Sequence, residues 1–248
     1  MTNTPAIRFE QISKAFGELK VLDDVSLEIT PGTAFCLLGR SGTGKSVMLK
    51  HIIGLLKPDR GRIFIDGEEI TELGSHELTR LRLRMGFLFQ NSALFDSISV
   101  GENVAFTMRR NTKHSDSEIR EIAAEKLAAV GLDGQYDKMP SALSGGMRKR
   151  AGLARALALD PSILLVDEPS AGLDPITSRE IDSLLMGLKS NHGVTLVVVT
   201  HNIPSARRIG DELALLHEGK IVARGSVDEF DRSDDKMVKL FMQSEGSG

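Results

Sequence analysis

The stretch Gly39-Arg40-Ser41-Gly42-Thr43-Gly44-Lys45-Ser46 satisfies the spacing G-x-x-x-x-G-K-S, and it constrains the fold more than any other feature of the chain. Ahead of it runs the apolar segment Ala34 to Leu38, and behind it Val47 to Leu56 carries apolar residues at helical intervals. The order strand, glycine loop, helix is predicted, which is the context a phosphate-cradling loop needs. The glycines let backbone N–H groups converge on phosphate oxygens, and the helix N-terminus adds the positive end of its dipole. Lys45 would reach the β and γ phosphates, and the Ser46 hydroxyl suits Mg²⁺. A plain turn would not require Lys-Ser after its last glycine. Candidate nucleotide contacts therefore comprise Gly39, Arg40, Ser41, Gly42, Thr43, Gly44, Lys45, Ser46 and Val47.

The rest of the chain reads as α/β. Ser162 to Val166 and Val194 to Val199, like Ala34 to Leu38, are near-continuous apolar runs, as expected of parallel strands covered on both faces. Ile7 to Phe9 and Val25 to Ile29 read as strands, and Asp66-Gly67 between Arg62–Ile65 and Glu68–Ile70 suits a tight antiparallel hairpin. Ser115-Asp116-Ser117-Glu118 forms a capping box ahead of Ile119, Ile122, Leu127 and Val130, closed by Gly131, so Val100 to Gly146 is expected to be mainly helical. Asp174-Pro175 predicts a capped helix carrying Ile181, Leu184, Leu185 and Leu188. The tail after Arg232 reads as polar, and Glu245-Gly246-Ser247-Gly248 as flexible.

Composition narrows the function classes. The 248 residues suffice for one domain or a core with a small subdomain. No apolar run approaches the roughly 18 to 20 residues of a membrane span. The N-terminus lacks the basic and apolar stretches of a secretory signal, and a single cysteine forms no internal disulfide, so a cytosolic compartment is expected. With 31 basic against 34 acidic residues, a net charge of −3 argues against nucleic acid as a partner.

Further chemistry sits at expected strand ends. Asp167 and Glu168 close the apolar run from Ile163, at the edge where open α/β sheets bind ligands. Asp167 can hold a Mg²⁺ shell, and Glu168 can polarise a water for attack on the γ-phosphate. His201 follows the strand ending at Thr200 and could hydrogen-bond the γ-phosphate and that water. The Gln90 amide could join the metal shell or sense the γ-phosphate. Ser144 can cap a helix whose Gly145-Gly146 start permits close approach to a phosphate.

In this order, the phosphate loop, Gln90, Leu143-Ser144-Gly145-Gly146-Met147, Ile163 to Glu168, Ser170-Ala171-Gly172-Leu173-Asp174 and His201 resemble the motifs of the ATP-binding cassette (ABC) ATPases over about residues 6 to 230. The resemblance implies a P-loop nucleoside triphosphatase (RecA-like) core with a parallel sheet, an N-terminal antiparallel β-subdomain and an inserted α-helical subdomain. Residues 1–248 then form a single cassette: core and β-subdomain over about 5–90 and 155–232, helical subdomain over about 91–154, short polar tail over 233–248. It implies ATP with Mg²⁺; Lys45, Glu168 and His201 as catalytic; Phe16, Gln90, Ser144, Gly145, Gly146 and Asp174 as further nucleotide contacts, Phe16 stacking on adenine; and Ser46, Gln90 and Asp167 as metal ligands. Because Lys45 and Ser144 belong to surfaces that meet between chains in that family, a homodimer sandwiching two ATP is implied.

Leu88 to Asp96 with Val100 to Phe106, Met139 to Met147, and Asp174-Pro175-Ile176-Thr177 are most similar to the ATPases of Mla/Mce lipid transport systems. Met147 stands where most cassettes carry glutamine. This likeness implies a separate membrane permease, a mammalian-cell-entry (MCE) type substrate-binding protein, a STAS-domain subunit in some systems, and a peripheral position on the cytoplasmic side of the bacterial inner membrane. An amino-acid or other small-solute importer ATPase is the alternative, and a non-transport cassette ATPase a more remote one. Composition lets Ala93, Leu94, Phe95, Ile98 and Val100 read equally as core of the helical lobe or as a partly exposed patch beside Gln90, and the family resemblance implies the patch, as the place where a permease helix docks.

Overall fold

The computed structural model describes residues 4–243. Strands β1 (Ile7–Phe16) and β2 (Leu19–Ile29) form a long hairpin paired from Ile7↔Ile29 to Phe16↔Leu19. β3 (Ala34–Leu38) leads into α1 (Lys45–Ile52). β4 (Arg60–Ile65) and β5 (Glu68–Glu69) follow, joined through Asp66 and Gly67, whose φ of 50° and 83° are those of the expected hairpin turn. Next come α2 (Ser75–Arg82) and β6 (Met85–Leu88), then the helical stretch α3 (Val100–Asn111), α4 (Asp116–Ala129) and α5 (Gly145–Ala156). β7 (Ile163–Asp167), α6 (Pro175–His192), β8 (Thr195–Thr200), α7 (Ile203–Ile209), the hairpin β9 (Glu212–His217) and β10 (Lys220–Gly225), α8 (Val227–Arg232) and α9 (Lys236–Gln243) complete the chain.

Two sheets organise these elements. The antiparallel sheet runs β2-β1-β4-β5, and the six-stranded sheet runs β10-β9-β3-β8-β7-β6 with β9, β3, β8, β7 and β6 parallel. Every residue of β3, β7 and β8 is buried, which explains their unbroken apolar runs. Successive residues feed opposite faces. Phe35, Leu37, Leu165 and Val197 enter one core with the antiparallel sheet and α1, while Cys36, Leu38, Leu164 and Val198 enter a second core with the helices.

The capping box at Ser115 and Glu118 and the Asp174 cap form as expected. The stretch read as a polar tail differs: α9 buries Val238 and Met242 against the helical core, because apolar residues four apart share one face. The reading of Glu245 to Gly248 lies outside the described residues. The hairpin β9–β10 turns at Glu218-Gly219 with φ of 47° and 77°.

His51 is fully buried on α1. Its Nδ1–H donates to the Val47 carbonyl at 2.7 Å, while Nε2 has no partner. Burial therefore holds its pKa below the ordinary value. The unfolded chain takes up a proton near pH 6.5 that the folded chain resists, so stability falls as pH drops below about 6.5. The stability difference between His51→Leu and wild type should shift in favour of leucine between about pH 7.5 and 5.5, read by urea denaturation. A difference that is flat with pH would show that His51 protonates normally in the fold.

Candidate active site

The phosphate loop turns on its glycines. Gly44 has φ 104°, and a Cβ there would lie 2.8 Å from Val21 Cγ1, so neither conformation nor space admits another residue. The buried Lys45 ammonium donates to the carbonyls of Gly39 at 2.7 Å and Arg40 at 3.0 Å, holding it inside the loop's curve. Thr43 Oγ1 donates to Arg40 O at 2.9 Å and tightens the same turn. Burial lowers the Lys45 pKa, opposed by nearby Glu168.

Parallel register brings the other groups to this loop. Leu38 pairs with Thr200, Asp167 with Val199 and Leu88 with Val166, so β3, β8, β7 and β6 end along one edge. There Ser46 Oγ donates to Asp167 Oδ1 at 3.0 Å, and burial raises the Asp167 pKa. Glu168 is buried at φ 47°, in the left-handed region. Its Oε2 accepts from Thr200 Oγ1 at 3.0 Å and His201 N at 3.3 Å, and its Oε1 accepts from His201 Nδ1 at 2.9 Å and lies 3.4 Å from Lys45 Nζ. A cavity of about 290 Å³ is lined by Phe16, Ser41, Gly42, Gly44, Lys45, Ser46, Val47, Gln90, Glu168 and His201, with Phe16 at the end of β1 and half exposed.

Ser144, Gly145, Gly146 and Asp174 do not line this cavity. Ser144 is exposed and caps α5, accepting from Met147 N at 3.3 Å. Gly146 packs where a Cβ would meet Thr177 Cγ2 at 2.4 Å, so its lack of a side chain has a reason within the chain. Asp174 Oδ1 accepts from Ile176 N and Thr177 N, each at 3.0 Å. Sequence reasoning missed Thr200, which anchors Glu168, and Lys149, whose ammonium is buried and donates to the Glu168 carbonyl at 2.9 Å. Burial pulls the Lys149 pKa down to about 8. Only helical phase could have singled it out, since Arg148-Lys149-Arg150 otherwise reads as a solvated run.

The apolar segment after Gln90 divides. Ala93 and Phe95 are exposed and Leu94 and Ile98 half-buried, but Val100 is fully buried on the inner face of α3 and belongs to the core, not to a patch. Ala93, Phe95, Phe89 and Phe106 line a separate cleft of about 340 Å³, in which the Phe95 and Phe106 rings lie 5.0 Å apart. Arg155 of α5 donates to the carbonyls of Ser92 at 2.7 Å and Ala93 at 2.6 Å, fixing two residues of positive φ beside it.

A glycine loop capping a parallel strand, with a serine–aspartate pair and a buried glutamate at neighbouring strand ends, defines a P-loop nucleoside triphosphatase. The ABC transporter family model matches residues 22–171. The probable ribonucleotide transport ATP-binding protein mkl of Mycobacterium leprae is 45% identical over 98% of this chain and 70% of its own. The intermembrane phospholipid transport system ATP-binding protein MlaF of Haemophilus influenzae is 39% identical over 99% of this chain and 93% of its own. Among solved structures, a dimeric ATP-binding cassette in a post-hydrolysis state with ADP and Pi is 35% identical, with a TM-score of 0.83 over 89% of this chain and 98% of that one. The chain belongs to the ABC transporter family and is an ATP-binding ATPase.

Proposed function

We propose that this chain is the ATP-hydrolysing subunit of a lipid transporter of the Mla/Mce type, working as a homodimer beneath a separate membrane permease. The observation that carries the reading is the 39% identity to a phospholipid-transport ATPase over nearly the whole of both chains. No helix among the described residues is long and apolar enough to cross a membrane, which fits a peripheral subunit. An MCE-type binding protein, a STAS-domain subunit and the cytoplasmic face of the bacterial inner membrane complete the proposal. Residues 1–248 are read as one cassette, with 91–154 its helical insertion.

In this reading Phe16 stacks on adenine, and the loop from Gly39 to Val47 holds the phosphates. Lys45 neutralises charge on the β and γ groups. Glu168, already bonded to Thr200 and His201, accepts the proton of the attacking water, and His201 orients it. The Ser46 hydroxyl and Asp167 carboxylate, with the Gln90 amide oxygen, are an all-oxygen donor set suited to Mg²⁺, which keeps phosphate and water oxygens in its shell. These three side chains leave room in a six-coordinate shell for phosphate and water oxygens. When bound, Mg²⁺ supplies positive charge for the phosphate oxygens.

Ser144, Gly145, Gly146 and Asp174 would close on the nucleotide held by the second chain. Cysteines replacing Ser41 and Ser144 should form an intermolecular disulfide in the ATP-bound transporter, with native Cys36 buried and out of reach. Failure to cross-link with ATP bound would remove the sandwich arrangement. Substrate class is tested by reconstituting the ATPase with its permease in vesicles. ATP-dependent movement of labelled phospholipid is expected, whereas movement of a ribonucleotide or amino acid alone would overturn the lipid assignment.

A further inference from the structure

We infer that Lys149 is a positioning residue for Glu168: from α5 its ammonium fixes the backbone of the proposed general base, tying that helix to the chain's own hydrolytic centre. The inference rests on the assignment of Glu168 above.

Three observations carry it. Of the basic triplet opening α5, Arg148 is exposed and donates to the Leu143 carbonyl, and Arg150 pairs with Glu180 near the surface. Lys149 alone turns inward, is 4% exposed and donates to the Glu168 carbonyl at 2.9 Å. Buried ammonium groups are retained against a large desolvation penalty, which the neighbouring Asp167 and Glu168 charges counter only in part. Next, Glu168 holds φ 47°, a conformation that residues with a side chain avoid unless surrounding contacts impose it. Those contacts are explicit: its N–H donates to Val199 O at 2.9 Å, and its carbonyl accepts from Lys149 and from Ala171 N at 3.2 Å. Rotation of that peptide would swing the carboxylate away from Thr200, His201 and Lys45. Last, Lys149 lies five residues beyond Ser144, about 7.5 Å along the helix axis. A shift at the exposed start of α5, the surface proposed to meet the second chain's nucleotide, is thereby passed to the base of its own site.

Steady-state and single-turnover ATP hydrolysis by the full chain in its transporter tests this, using Lys149→Met and Lys149→Gln in wild-type and Glu168→Gln backgrounds. Lys149→Met, which keeps the stem and loses the donor, should lower kcat by about ten- to a hundredfold with KM for ATP little changed. Lys149→Gln, a neutral donor, should recover most of that loss. In the Glu168→Gln background Lys149→Met should add almost nothing, since the group it positions is gone. A wild-type kcat in Lys149→Met, a loss confined to KM, or the same factor repeated in the Glu168→Gln background would overturn the inference. Should Lys149→Met fail to fold, Lys149→Gln and Lys149→Arg decide. Near-wild-type kcat in both supports the carbonyl contact, and loss in glutamine alone assigns the effect to charge and overturns it. Wild-type turnover in Glu168→Gln itself would instead remove the base assignment.

Discussion

Glu168→Gln is expected to bind ATP as wild type does and to turn it over about 10²- to 10⁴-fold more slowly, the range over which a positioned general base acts. Glutamine keeps the shape and can still accept from Thr200 Oγ1, so the site should retain its form. What it loses is a carboxylate able to take a proton from water. Lys45→Ala should behave differently. Lys45 sits within the curve of the loop, bonded to Gly39 and Arg40, and its removal would subtract the phosphate contact proposed for it from the bound state itself. Nucleotide titration by fluorescence, run beside a phosphate-release assay, separates the two. Equal losses of affinity in both variants would contradict the division of roles.

Phe95→Ser combined with Phe106→Ser should abolish co-purification with the permease and ATP-driven lipid movement, while the isolated subunit stays folded and hydrolyses ATP at close to its normal rate. These rings are 46% and 39% exposed, lie tilted by 53° against each other and line the cleft, and aromatic anchors of this kind dominate interface energetics. Leu94 is a poorer target because it packs partly against the helical core. The backbone at Phe95 is held independently: buried Asn103 accepts from its N–H at 2.7 Å and donates to its carbonyl at 3.0 Å. Loss of the ring should therefore leave the loop in place. A pull-down with the permease, paired with a thermal melt, checks this. A double variant that melts early yet still captures the permease would assign both rings to packing.

The phosphate loop, the carboxylates and His201 were legible because each ends an apolar run long enough to declare a buried strand, and strand ends of a parallel sheet share an edge. Lys149 was not legible, since nothing local distinguishes an inward lysine from its exposed neighbours Arg148 and Arg150. Its burial depends on where β7 happens to end. Helix α9 was obscured by the charges around it: Val238 and Met242 supply too narrow a stripe to outweigh Asp234, Asp235, Lys236 and Lys239 in a composition count. Val100 is core although the resemblance groups it with the patch, because an apolar segment next to a site carries no mark of which residues face inward. Only α3, once formed, divides Val100 from Phe106.

Alternation along β3, β7 and β8 separates two packing layers, of which the helical one reaches the site through Lys149. A methyl lost at Leu164 opens space among the helices, and one lost at Leu165 opens space beneath the antiparallel sheet. Gln90 and His201 stand beyond the ends of these layers and belong to neither. In the proposed transporter the exposed rings at Phe95 and Phe106 would meet the permease while the strand ends hold the residues that act on ATP, so the two tasks would fall to different parts of one chain.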